Sequence, residues 1–340
     1  MAEAISRALL IDAPHELAAP ERPSLIAHDD AFGDYVAWRL AGQRAVLVTL
    51  VGIDGATPRP LGAHMAISET GETSGYLSGG CLEQTVAAEA QSVLRDGANR
   101  LVRYGKGSVY FDVSLPCDSG LDLYFDQDLP MHLVRDAARA RSAREPVILE
   151  TDFERHTSNL AAVTPSEPTR SHVRGSVMRT VMLPAPRVLI VGGGPAIGAI
   201  AQVLAATGFE LDIVTPDDSV RADVVRAGLE ARGLVDEKAF DPGPLDRWSA
   251  AVVAFHEHAW EAPILARILE APCFYIGVMG SRTAQEGRLA RLADLGVPAE
   301  QRARLKGPIG LIPGAKSRLT LAVGIAAEIV AAAKAQGMVA

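Results

Sequence analysis

The sequence predicts an α/β protein built as a mixed α/β N-terminal unit followed by a Rossmann-like, doubly wound parallel sheet. Three observations carry this. At 340 residues the chain is longer than one ordinary core accommodates. From Arg187 onward, apolar strand-length runs alternate with helix-length stretches, the pattern of a parallel sheet with helices on both faces. At the start of that region VLIVGGGPAIG (188–198) sets a strand, a glycine turn and a helix start in immediate succession.

Taken in order, residues 1–29 read as an N-terminal tail and 30–164 as the first domain. A helix over 30–40 is capped by Asp29 or Asp30 and stopped near Gly42. The β-branched run RAVLVTLV (44–51) is a buried strand. A loop, 52–62, is punctuated by Gly55, Pro58 and Pro60; 64–68 and 73–77 form a hairpin around the Gly71 turn. Helix formers fill 82–94, and Gly97 stands where that helix should stop. Strands follow at 100–104, 109–115 and 121–125, then a helix over 131–143 and extended stretches at 147–150 and 160–164. Residues 165–186, rich in Ser, Thr, Pro and Arg, read as a linker holding one strand. The Rossmann-like domain, 187–340, has its clearest strands at 187–191, 211–214, 251–255 and 274–278. Its clearest helices are 196–207, 259–269, 283–295 and a C-terminal one over 319–334.

Composition narrows the function. A net charge of −8 leaves no basic surface for nucleic acid or anionic lipid. The longest apolar run, 319–333, contains Glu328 and reads as a buried helix rather than a membrane span. The first residues lack the pattern of a secretory signal. The cysteines, Cys81, Cys117 and Cys273, form no Cys-x-x-Cys pair, so neither a disulfide framework nor a structural zinc site is indicated, and a reducing cytoplasm fits.

Two glycine turns carry the chemistry. In the first, Gly192, Gly194 and Gly198 are spaced G-x-G-x-x-x-G around Gly193, a relative of the dinucleotide fingerprint. Gly192 permits a tight turn, Gly194 lets backbone approach a phosphate, and Gly198 lets the helix pack closely on the sheet. The helix start offers N–H groups to an anion. An acid that would hold ribose hydroxyls is expected at the end of the second strand, but Thr215 stands there, with Asp217 and Asp218 slightly later. A phosphate-bearing ligand is favoured over NAD-linked hydride transfer; a plain strand-to-helix connection is the alternative.

The second turn lies in GATPRPLGAHMAISETGETSGYLSGGCLE (55–83), where Ser78, Gly79, Gly80 and Cys81 open a helix. This is a second anion cradle bearing a hydroxyl and a thiol. A helix start favours thiolate, the form that ligates metals and attacks sulfur; a small buried residue beside a turn is the alternative reading of Cys81. Glu83 complements the helix dipole, and Arg59, held between two prolines, suits phosphate or carboxylate recognition. Cys117 sits in a further turn. Gly280, Ser281 and Arg282 end a strand where they could hold a phosphate or simply cap a helix. His256, His258 and Glu261 are either cleft-lining hydrogen-bond groups or a first-row metal site; His64 reads as structural.

At these residues the chain resembles the XdhC/CoxI family. The resemblance rests on G-x-x-P-R, G-x-x-M and S-G-G-C-L-E within 55–83, on 188–194, on FYIGVMGSR (274–282), on PIGL (308–311) and on AAEI (326–329), and spans about 30–334. It implies a cofactor-handling N-terminal domain ahead of a Rossmann domain. It also implies a cytoplasmic, often dimeric chaperone that binds molybdenum cofactor, as molybdopterin or its cytosine dinucleotide form. Such a chaperone assists sulfuration with a cysteine desulfurase and delivers the cofactor to an apo-molybdenum hydroxylase. By resemblance Cys81 contacts molybdenum or its exchangeable sulfur, and a histidine at His256 belongs to the cleft. Departures are Ile312 and Thr215 in place of usual acids, and Pro116-Cys117-Asp118-Ser119 in place of Pro-Cys-Gly-Gly. Competing readings are an NAD(P)-dependent oxidoreductase, with Arg221 reaching a 2′-phosphate, and an assembly module that binds only proteins.

Overall fold

The computed structural model describes residues 30–108, 119–163, 170–255 and 258–339. Its first half runs α1 (Ala31–Leu40), β1 (Ala45–Asp54), β2 (His64–Ser68), β3 (Thr73–Gly75), α2 (Glu83–Asp96), β4 (Arg100–Gly105), β5 (Gly120–Asp126), α3 (Met131–Ser142), β6 (Val147–Asp152), β7 (Thr157–Ala162), β8 (His172–Arg174) and β9 (Val177–Met182). Asp30 caps α1, its carboxylate accepting from the Gly33 N–H at 3.0 Å, and Gly97 ends α2 in the left-handed region.

A five-stranded antiparallel sheet, β3-β2-β1-β5-β4, organises this half. Side chains alternate across a strand, so Val46, Val48 and Leu50 of β1 face Val86, Ala90 and Val93 of α2. Ala45 and Leu47 point the other way, against Tyr35 of α1 and Val134 of α3. Both faces are covered, which is why the buried stretch 45–51 of β1 is apolar apart from Thr49. Each such buried side chain contributes about 1.5–3 kcal/mol.

A second sheet, β7-β6-β9-β8, corrects the reading of 165–186 as a linker with one strand. That stretch contributes both β8 and β9, and β9 pairs along the whole of β6. Met178 of β9 is fully buried against Val51 and Tyr124 of the first sheet. At three residues, β8 is too short to show an alternating pattern.

The second half continues β10 (Arg187–Gly192), α4 (Ala196–Ala205), β11 (Glu210–Thr215), α5 (Asp218–Arg226), β12 (Arg232–Gly233), β13 (Ser249–Ala254), α6 (His258–Glu270), β14 (Tyr275–Val278), α7 (Arg282–Asp294), α8 (Ala299–Ala303), β15 (Leu305–Lys306) and α9 (Arg318–Ala335). All six strands are parallel, in the order β12-β11-β10-β13-β14-β15. Ile190 and Ala250 face α4 and α9, while Leu189, Val191 and Val253 face α6. The order reverses between β10 and β13, and the crevice beyond that switch point is where open α/β sheets bind ligands. Among the described residues no helix is long and apolar enough to cross a membrane.

Arg144, at φ +55°, links the halves: its guanidinium donates to Asp246 at 2.6 Å and to Glu210 at 3.2 Å. Burial opposes ionisation of Asp246, but hydrogen bonds from Arg144, the Ser249 hydroxyl and the Trp248 N–H hold its carboxyl below its usual range.

Candidate functional site

The turn before α2 is built around one side chain. Leu82, at the N-cap, offers no capping side chain, and Glu83 from the first helical turn folds back instead. One carboxylate oxygen, Oε1, accepts from the N–H groups of Leu77 (2.9 Å) and Ser78 (2.8 Å). Oε2 accepts from the Ser78 hydroxyl (2.8 Å) and from the N–H groups of Gly80 (2.8 Å) and Leu82 (3.2 Å). Burial opposes ionisation of this carboxyl, but the hydrogen bonds outweigh it and hold the pKa down to about 2. The turn is therefore not an open anion cradle, as its glycines and helix start predict, because the chain's own carboxylate already fills it.

Cys81 lies exposed between Gly80 and Leu82, whose N–H groups Glu83 holds. Cys273, by contrast, is buried, and burial pushes its thiol up to about 11. Among the described residues Cys81 is thus the exposed free thiol. Arg59 comes to the same place, its guanidinium 4.4 Å from the centre of the Tyr76 ring. Pro58 packs so close that a Cβ on Gly79 would meet its ring at 3.7 Å. The fold thus sets the Pro58–Arg59 loop against Tyr76 and Gly79, next in the chain to Ser78, Gly80 and Cys81. His64 is structural, bonded to the Thr49 hydroxyl at 3.1 Å and set against Phe32. Burial and the nearby Arg59 charge lower its pKa to about 4, so it is neutral at pH 7.

The Rossmann turn is filled more lightly. Gly193 donates its N–H to Ala254 of β13 at 3.0 Å, so that group is committed to the sheet. A Cβ on Gly192 would lie 2.0 Å from the Ala254 carbonyl oxygen, so the close approach required there is to backbone. Gly194, at φ +82°, donates its N–H to the Asp217 carboxylate at 2.6 Å. Thr215 is buried at the strand end, and Asp217, two residues later, is the acid that reaches the turn. Gly198 corrects the expectation of close helix–sheet packing. A Cβ there meets nothing within 4 Å, and the residue lines an open groove with Gln202, Asp223, Arg226 and Arg318.

The Gly280 turn stands at the same sheet edge, since Met279 donates its N–H to Val253 of β13 at 2.9 Å. Ser281 caps α7, its hydroxyl oxygen accepting from the Ala284 N–H at 3.1 Å, and Arg282 is exposed. Glu261 is no cleft ligand. It is fully buried and paired with Arg288 through contacts of 3.0 and 3.1 Å. Arg288 in turn donates to Gln285 at 2.7 Å and to the Met279 carbonyl at 3.0 Å, fixing the backbone that leads into Gly280. Arg221 pairs with Asp218 at 2.7 Å. Cys117, His256 and Glu257 lie outside the described residues.

Glu83 and Asp217 are the residues that sequence reasoning undervalued. A carboxylate at the first position of a helix that follows Ser-Gly-Gly-Cys-Leu is a signal for Glu83; none marked Asp217 beyond its nearness to the strand end.

Comparison with known proteins agrees with this architecture. Residues 38–105 match the model of the XdhC and CoxI family, and 188–329 match that of the XdhC Rossmann domain. The molybdenum cofactor insertion chaperone PaoD of Escherichia coli is 31% identical over 290 residues, covering 85% of this chain and 84% of PaoD. The chain belongs to the XdhC and CoxI family. A Bacillus subtilis relative, named as a probable xanthine dehydrogenase subunit, is 25% identical over 325 residues, covering 85% of this chain and 93% of the relative. A crystal structure from Bacillus halodurans, described as a xanthine dehydrogenase, superposes with a TM-score of 0.70 at 19% identity. It covers 90% of this chain and 96% of that one, and at this identity the likeness shows the fold alone.

Proposed function

We propose that this chain carries molybdenum cofactor and inserts it into a molybdenum hydroxylase. The observation that carries the reading is the exposed Cys81 thiol on a turn that Glu83 ties down on both sides. Membership of the XdhC and CoxI family, and PaoD among its relatives, support it. A thiolate suits a soft metal or its sulfido group. Among the described residues no cluster of His, Cys, Asp or Glu could hold a bare ion, so Cys81 would add one protein donor to a metal already held by its own organic ligand.

The nucleotide end of the cofactor belongs in the Rossmann cleft, at Gly192, Gly193 and Gly194, with Gly280, Ser281 and Arg282 along the same edge; the family resemblance, not the described structure, adds His256. An acid at the turn suits ribose hydroxyls rather than a bare phosphate, so Asp217 favours the cytosine dinucleotide form. Sulfuration with a cysteine desulfurase, a role for Cys117, a homodimer and a cytoplasmic location complete the reading.

Protein purified from a cofactor-producing host should release a fluorescent pterin on oxidation. Cys81→Ala should keep its fold and lose most of that pterin. Equal pterin in parent and variant would remove Cys81 from the mechanism, and no pterin in either would remove the function.

A further inference from the structure

We propose that Glu83 is the positioning residue of the Cys81 turn: its carboxylate takes the place an incoming anion would occupy, so the turn offers a ligand its thiol and no phosphate site. The proposal rests on the reading of Cys81 as the cofactor-facing thiol.

The geometry is specific. The two oxygens of Glu83 accept five hydrogen bonds, from four backbone N–H groups and one hydroxyl, all within residues 77–82. Two of these donors, Gly80 and Leu82, flank Cys81 in the chain, so the backbone on both sides of the thiol is tied to one carboxylate. Ser78 closes the ring by accepting the Leu82 N–H at 2.8 Å while donating to Glu83. Leu77 and Leu82, both fully buried, anchor the two ends of the turn. The N–H groups of Leu77, Ser78, Gly80 and Leu82, which would wrap a phosphate, already face a full negative charge. The arrangement separates two tasks that glycine turns often combine: anion binding is spent internally, and display of a soft nucleophile remains.

Chemical rescue tests this. In Glu83→Ala, amide hydrogen exchange at residues 77–82 should rise at least tenfold, while Val86 and Ala90 of α2 keep parental rates. Acetate at tens of millimolar should restore protection in the variant by entering the vacated space, and should leave the parent unchanged. Pterin content should fall in the variant and recover with acetate. Parental exchange rates at 77–82 would overturn the proposal, as would faster exchange throughout α2, which marks a general loss of fold. Faster local exchange with full pterin would also overturn it, since the turn's order would then not matter to the ligand. A parent without pterin would sink the molybdenum reading instead, and the exchange and acetate data would still decide whether Glu83 occupies the anion position.

Discussion

The turn before α2 and the turn after β10 look alike in sequence, each a run of glycines opening a helix, yet they are closed to different depths. Glu83 accepts five hydrogen bonds in the first, whereas Asp217 accepts the Gly194 N–H in the second. Each charged hydrogen bond contributes about 1.5–3 kcal/mol, so clearing the first turn costs several times what clearing the second does. A glycine-rich helix start therefore does not by itself announce an anion site. What matters is whether a nearby carboxylate can fold back onto the N–H groups, and how many it engages. By this measure the turn after β10 is the more readily opened of the two, and the turn before α2 is a finished piece of structure.

The largest effect should come from the close backbone contact that separates the two turns. Gly192→Ala drives a methyl into the Ala254 carbonyl, and should cost about 3 kcal/mol or more in urea unfolding. Gly80→Ala meets no atom within 4 Å and suffers only from its φ of +116°, a strain of about 1–2 kcal/mol. Equal losses would break the contrast.

Acid titration gives an intermediate effect. The Glu83 carboxyl is depressed from 4.5 to about 2, so its contribution is complete above pH 4.5 and lost as pH falls through about 2. The stability gap between parent and Glu83→Gln should shrink across that window; a gap constant down to pH 2 would mean the charge is not what holds the turn.

The smallest effect sits in α4. Gly198→Ala has open space, and should stabilise by about 0.5–1 kcal/mol because alanine favours a helix over glycine. A loss of stability there would restore Gly198 as a packing glycine.

Much of the fold was legible because its signals are local. The apolar run at β1, the Asp30 cap, the Gly97 stop and the strand–turn–helix at 188–198 each lie within one element or its border. What escaped depends on partners apart in the chain. Strand β8 pairs with β9, and β9 takes β6 as its other neighbour, about thirty residues earlier. Glu261 meets Arg288 across 27 residues and so reads from sequence as an available ligand. At the site, the exposed thiol and the Arg59 loop were readable, while the carboxylates that fill the two turns were not. Nothing in a spacing tells whether a side chain points outward or curls back on its own backbone.

The Arg144 bridge has a practical consequence for anyone recombining relatives. Grafting the first half of one family member onto the Rossmann half of another transplants the arginine without its acceptors unless Asp246 and Glu210 travel too. A chimera that respects sheet boundaries but ignores this triad inherits two sound halves and a mismatched hinge.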